Sequence, residues 1–258
     1  SPKKVMGICG FSSELGWFGM KRDYKKRTQT VCPGGEMDVI GRALSEGRRV
    51  LSEYESKQIL RAYGIPVTRE TEAHDMKGFK NALNEIGFPL VIKISSPDVS
   101  HKTERGLVHV DIRNRKEAMI AFKKILSETK AENASVLVQE MVIGDRELMM
   151  GLKRDPQFGP CVAFGLGGIF TEILQDICVR VAPIEKSEVV RMMKDFKAHR
   201  ILDAFRGMPS ADLDQIARMI ITVGRIGIEE PRIKEIDINP VILAAGKPVA
   251  VDALVALH

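Results

Sequence analysis

Phe88-Pro-Leu-Val-Ile-Lys93-Ile-Ser-Ser-Pro-Asp-Val-Ser-His101-Lys-Thr-Glu-Arg-Gly-Leu107 is the stretch around which the chain is organised. Leu90, Val91, Ile92 and Ile94 form an apolar run, so the stretch opens as a buried strand. Lys93 interrupts that run, and a buried ammonium is very costly unless it keeps a partner. A polar loop follows, Ser95 to Arg105, with His101 and Lys102 in its middle. Loops that present such side chains from a rigid strand are common places for function.

On either side the pattern extends into a small α/β lobe over residues 66–133. Asp75 to Ile86 reads as an amphipathic helix before the strand, Val108 to Ile112 as the return strand, and Lys116 to Lys130 as a further helix. Upstream, Met37 to Tyr63 turns helical. Ser52 with Glu55 forms a capping-box signature, Ile59, Leu60 and Tyr63 mark the inner face, and Gly64 closes the helix. Downstream, Ser135 to Met141 begins a different texture. Arg146 to Lys153, Pro160 to Gly165 and Cys178 to Ala182 are short strands split by turn residues, which predicts an antiparallel meander. Glu185 to Lys194 and Asp212 to Ile226 are helical, and Lys234 to Leu243 with Pro248 to Leu254 closes as a hairpin. Residues 134–258, with the helices of 37–65, make a larger lobe. The expected architecture is two α+β lobes with a ligand cleft between them.

The composition bounds the function. The chain has 258 residues, 44% hydrophobic and 28% charged, as in a globular protein. No apolar run is long enough for a membrane span, and no signal-peptide core is present. Cys9, Cys32, Cys161 and Cys178 lack metal-ligand spacing and read as reduced thiols of a cytoplasmic protein. Of the net charge of +5, residues 1–36 hold +4, from seven basic and three acidic residues. Pro33-Gly34-Gly35 separates this basic extension of unknown role from the rest. A nucleic-acid role for the arm is not expected, and any affinity it had would fall steeply with salt.

The last hairpin offers a candidate metal site from its own pattern, the alternative being an exposed polar face on an edge hairpin. Ile236, Ile238 and Ile242 share one strand face, and Glu235, Asp237 and Asn239 the other. A two-residue turn at Ala245-Gly246 pairs Ala244 with Lys247, and therefore Asn239 with Asp252. Directly paired residues share a face, which sets two oxygen ligands side by side. Mg²⁺ takes one or two protein oxygens and completes its shell with water and phosphates. Arg180 alternates with Val179 and Val181; a guanidinium facing the cleft would stabilise a transferring phosphoryl group, and the alternative is a surface salt bridge. Gly165-Leu-Gly-Gly168 is a candidate for backbone approach to an anion, though no Walker A lysine follows it.

Several of these segments resemble the β subunit of ADP-forming acetyl-CoA synthetases, ATP-grasp enzymes of the succinyl-CoA synthetase superfamily. They are Leu51-Ser-Glu-Tyr-Glu-Ser-Lys57, Tyr63-Gly-Ile-Pro-Val67, Ser96-Pro-Asp-Val-Ser-His-Lys-Thr103, Gly165-Leu-Gly-Gly-Ile-Phe-Thr-Glu172 and Glu235-Ile-Asp-Ile-Asn-Pro240. The resemblance runs from about Asp38 to the end. It implies an ATP-grasp fold, ATP or ADP with Mg²⁺, and phosphoryl transfer through phosphohistidine. It places Lys93 at the nucleotide phosphates and Gln139, Glu140, Met141 and Val142 along the adenine. Glu147 falls at the ribose, Asn239 and Asp252 at the metal. His101 becomes a phosphoryl carrier, with Asp237 orienting or stabilising it. One departure stands out: Arg105-Gly106-Leu107 has a single glycine where the family usually has two.

No Gly-x-Gly-x-x-Gly fingerprint follows a strand, so a CoA site is expected on a separate α subunit or on another part of a longer chain, in a hetero-oligomer. The competing expectation is a nucleotide-binding sensor or interaction module without turnover. Phosphorylation of His101 separates the two.

Overall fold

The computed structural model describes residues 38–95, 107–128, 135–168 and 176–258. The basic segment 1–36 and the loop bearing His101 lie outside the described residues.

Four strands form the smaller sheet: β1 (Glu70–Ala73), β2 (Leu90–Ser95), β3 (Val108–Ile112) and β4 (Ser135–Glu140). Their order is β1-β4-β2-β3 and every pairing is antiparallel. Alternation along β2 turns Leu90, Ile92 and Ile94 towards a core shared with α3 (Met76–Ile86) and α4 (Arg115–Glu128). There Phe79 stacks on Phe122 with ring centroids 4.1 Å apart. The α3 start is set by Asp75, whose carboxylate accepts the Gly78 amide at 2.6 Å. The other sheet face carries Lys93 from β2, Gln139 from β4 and Glu70 from β1.

The expected lobe boundary near residue 134 is corrected here. β4 is an interior strand of the small sheet, between β1 and β2, so the boundary falls after Glu140. An apolar strand such as Val136-Leu137-Val138 reads the same whichever sheet receives it.

The larger sheet runs β10-β8-β5-β6-β7, with β9 also paired to β8. Its strands are β5 (Glu147–Asp155), β6 (Gly159–Leu166), β7 (Ile177–Val181), β8 (Ile233–Ala244), β9 (Lys247–Ala250) and β10 (Leu254–Leu257). Leu148, Met150, Leu152, Val162 and Phe164 share one buried core with Ile216, Ile220 and Val223 of α6 (Leu213–Glu229). α1 (Val39–Ser45), α2 (Glu53–Ala62) and α5 (Lys186–Asp195) complete this lobe. The capping box forms both ways: Ser52 Oγ accepts the Glu55 amide at 3.2 Å, and the Glu55 carboxylate accepts the Ser52 amide at 2.9 Å. Among the described residues no helix is long and apolar enough to cross a membrane.

The terminal hairpin has the expected turn, with φ +48° at Ala245 and +84° at Gly246, and pairs Ala244 with Lys247. Its return arm breaks at residues 251–253. The pairs Val241–Ala250 and Asp237–Leu254 on either side keep one register, which sets Asn239 opposite Asp252 across the break. The Val251 amide spans it by donating to the Pro240 carbonyl at 3.0 Å.

Candidate functional site

The sheet face opposite the α6 core is the floor of the candidate site. Register carries this face from Asp237 on β8 to Gly151 on β5, Ala163 on β6 and Val179 on β7. The small neighbours leave Asp237 open. Burial of the carboxyl among the surrounding protein groups, reinforced by the charges of Asp252 and Glu235, pushes it up to about 6.

Asn239 is oriented by the glycine turn after β6: its Oδ1 accepts the Gly168 amide at 3.0 Å. Gly168 has φ +61°, and a Cβ there would lie 1.8 Å from Glu147 Oε2. Glu147, Gly168 and Asn239 therefore converge at one end of the floor. The expected anion cradle is not formed by Leu166, Gly167 and Gly168. Their amides donate to the Asp176 carbonyl (3.4 Å), the Glu147 carbonyl (2.9 Å) and Asn239, because a turn this tight closes on its own strands.

Lys93 is buried, 4% exposed, and its Nζ is ion-paired with Glu53 Oε1 of α2. Burial opposes its charge, but Glu53, Asp252 and Glu70 outweigh burial and hold its pKa above the ordinary lysine value. Lys93 thus stays cationic between the α2 carboxylate and Asp252. Beside it lies Lys57, fully buried, with Nζ 2.8 Å from Glu53 Oε1 and paired with Glu70. Burial, only partly offset by Lys57 and Lys93, raises the Glu70 carboxyl.

The 139–142 segment differs from expectation. Gln139 is an interior residue of the small sheet, and its side-chain oxygen accepts from Lys57 at 2.8 Å. The Glu140 carboxylate pairs with Arg69 at 2.7 Å. The Glu140 amide donates to the Arg69 carbonyl (2.9 Å) and the Met141 amide to the Pro89 carbonyl (3.3 Å). Of the four positions, Val142 is the one left outside the sheet and these bonds. The reason is the same as for the lobe boundary: β4 is drawn into the small sheet as far as Glu140.

Arg180 does not join the floor. It pairs with Val162 on β6, the α6-facing side, while Val179 and Val181 are the residues exposed towards the cleft. Its guanidinium reaches Asp195 of α5 at 2.5 Å. The alternation was correct, but the apolar valines face outward.

The residues missed by sequence reasoning are Glu53, Lys57 and Glu70. A signal existed. Positions 53, 57 and 60 share one face of α2, so Glu53 and Lys57 align with buried Leu60.

Among the described residues no group of three or more His, Cys, Asp or Glu forms a self-contained metal site. Asn239 and Asp252 fit Mg²⁺ as a two-oxygen partner set that phosphates complete. Burial raises Asp237 first, and the carboxylates of Asp252 and Glu235 that add to it make the floor a place where a cation is favoured.

Two α+β lobes, a cationic lysine from the smaller and an oxygen-lined floor from the larger define a phosphate-handling cleft. The chain belongs to the ATP-grasp family: residues 42–257 match the ATP-grasp domain. It is 41% identical over 225 residues to the acetate–CoA ligase (ADP-forming) I subunit β of Pyrococcus furiosus, covering 85% of this chain and 97% of that subunit. It is 40% identical over 209 residues to acetate–CoA ligase (ADP-forming) I of Archaeoglobus fulgidus, covering 79% of this chain but 30% of that longer protein. Among solved structures it resembles acetyl-coenzyme A synthetase 1 of Ca. Korarchaeum cryptofilum in complex with coenzyme A and Mg-AMPPCP, its phosphohistidine segment pointing towards the nucleotide binding site. The TM-score is 0.77 at 41% identity, over 86% of this chain and 99% of that chain.

Proposed function

We propose that this chain is the nucleotide-handling part of an ADP-forming acyl-CoA synthetase, moving a phosphoryl group between phosphohistidine and ADP in the reaction acyl-CoA + ADP + Pi ⇌ carboxylate + CoA + ATP. The observation that carries the reading is the floor itself: Asn239 opposite Asp252, with Lys93 held cationic beside Asp252. Metal-ligand oxygens and a phosphate-binding cation from opposite lobes are what transfer to a nucleotide requires.

Asn239 and Asp252 would hold Mg²⁺, which when bound supplies charge neutralisation at the phosphate oxygens. Lys93 balances charge from the small-lobe side, and Glu147 takes the ribose end of the nucleotide. The Met141–Val142 segment borders the adenine, with Val142 offering the backbone. His101 carries the phosphoryl group on its imidazole, and Asp237 orients it. A CoA-binding partner, as a separate α subunit or as the rest of a longer chain, completes the reaction in a hetero-oligomer. A reducing cytoplasmic setting suits the free thiols of Cys161 and Cys178.

The test combines the chain with a CoA-binding partner, acyl-CoA, ADP and phosphate. Wild type is expected to form ATP and to carry acid-labile, base-stable phosphate; His101→Asn is expected to bind nucleotide but form none. Substantial ATP synthesis by His101→Asn overturns the relay. Nucleotide binding with no turnover under any partner returns the reading to a sensor module.

A further inference from the structure

We propose that Lys57 is the positioning residue of the cleft: its buried ammonium sets Lys93, through Glu53, and the connector bearing Asp252, through the Val251 carbonyl, at a fixed separation. The inference rests on the nucleotide–metal reading above and extends it to a residue outside the floor.

Lys57 is 0% exposed. Its Nζ donates to Gln139 Oε1 at 2.8 Å, to the Val251 carbonyl at 3.0 Å and to Thr68 Oγ1 at 3.2 Å. It also lies 2.8 Å from Glu53 Oε1 and is paired with Glu70. These acceptors come from α2, β1, β4, the segment before β1 and the connector between β9 and β10. One side chain therefore ties the helix of the large lobe to two strands of the small sheet and to the residue preceding Asp252. Glu53 Oε1 is shared by Lys57 and Lys93, so the direction in which Lys93 points depends on where Lys57 holds that carboxylate.

Cohesion alone does not explain the arrangement. A buried ion cluster is weak evidence for stability, since well-packed apolar residues of similar volume often serve as well or better. An apolar side chain cannot orient a carbonyl, an amide oxygen and two carboxylates at once. Gln139 shows how strongly the ammonium dictates its surroundings. It turns its oxygen to Lys57 although its buried Nε2 then finds no hydrogen-bond partner among the described residues, a costly arrangement for a buried donor.

The test is calorimetric titration with ADP, with and without Mg²⁺, on wild type, Lys57→Met and the charge-balanced Lys57→Met/Glu70→Gln. Circular dichroism and an unfolding midpoint report on folding. In both variants the gain in affinity that Mg²⁺ confers is expected to shrink by about tenfold or more, as for supports behind a metal ligand, beyond a weakening of metal-free ADP binding by about threefold as Lys93 loses its fixed direction. A general loss of folded protein would lower the active fraction but not this ratio. Folded variants that keep the wild-type Mg²⁺ gain overturn the positioning role and leave the proposed function standing. Variants that do not fold at all also overturn it, because Lys57 is then a folding residue. Absence of any Mg²⁺ gain in wild type defeats the inference and the proposed nucleotide–metal site together.

Discussion

Asn239 accepts the Gly168 amide at 3.0 Å, and Gly168 in turn leaves the space into which Glu147 reaches, 1.8 Å from where a Cβ would stand. One glycine thus sets both an expected metal ligand and an expected ribose ligand. Gly168→Ala meets two obstacles. At φ +61° an alanine costs about 1–2 kcal/mol, and its methyl displaces the Glu147 carboxylate. The flexible end of Glu147 gives way first, so the fold should survive. The expected outcome is a folded protein with a lower unfolding midpoint and Mg·ATP affinity weakened by about tenfold, roughly 1.4 kcal/mol. Calorimetry showing unchanged affinity would mean that Glu147 and Asn239 are not set by this turn.

Asp252 faces Asn239 because the hairpin keeps its register on both sides of the 251–253 break. Asp252→Ala removes one hard oxygen and leaves Asn239 as the remaining expected metal ligand. Affinity for Mg·ATP should fall by about tenfold or more, while affinity for metal-free ATP changes little or rises as a negative charge is removed. Parallel titrations with Mg²⁺ and with a chelator check this. Equal losses in both series remove Asp252 from the metal site.

The turn and register of this hairpin were legible in the sequence because the Ala-Gly turn and period-two alternation fix the pairing from Ala244–Lys247 onward, whereas the break at 251–253 was not. Period-two reading was less sufficient elsewhere. It separated Arg180 from Val179 and Val181, yet the valines lie on the exposed side, 53% and 46% accessible. Apolar residues lining a cleft look like core residues until the neighbouring strands are known. The sheet that takes β4 is a matter of long-range pairing that a local apolar run does not encode. Lys57 was hidden for another reason: charged residues on a helix are expected in water, and its buried acceptors lie as far away as Val251.

Glu55 offers a stability prediction with a defined sign. Burial opposes its ionisation, but Arg48, the Ser52 amide and Arg42 together pull its carboxyl down to about 2. Arg48 holds both carboxylate oxygens at 2.8 Å. A depressed carboxyl contributes stability that is complete above its unfolded pKa, near 4.3, and is lost as pH falls towards about 2. The contribution is on the order of 2 kcal/mol at neutral pH. Glu55→Gln should therefore lower stability above pH ~5 and flatten its decline between ~4.5 and ~2. Chemical unfolding followed by circular dichroism across that range measures both. A variant whose pH profile parallels wild type would place the acid sensitivity elsewhere.

Arg180 and Lys93 make opposite predictions from two cations that sequence reasoning treated alike. Arg180 sits on the α6-facing side of its sheet, paired with Asp195, whose side chain is 58% exposed. Exposed pairs of this kind contribute about 1 kcal/mol or less, so Arg180→Met should cost little stability and leave ATP formation within about threefold of wild type. Lys93 is buried between Glu53 and the Asp252 side of the floor. Lys93→Met leaves a buried carboxylate with one cation fewer, a loss of about 3 kcal/mol. It also removes charge stabilisation from the transferring group, for a rate loss of about 10²–10³. The rates are to be measured in the reconstituted acyl-CoA reaction, normalised to folded protein by nucleotide titration. That normalisation separates the chemical effect of Lys93 from its structural one. A hundredfold loss for Arg180→Met, with the fold intact, would require the guanidinium to leave Asp195 and swing into the cleft during turnover. A near-normal rate for Lys93→Met would leave phosphate neutralisation to the metal site and the His101 loop.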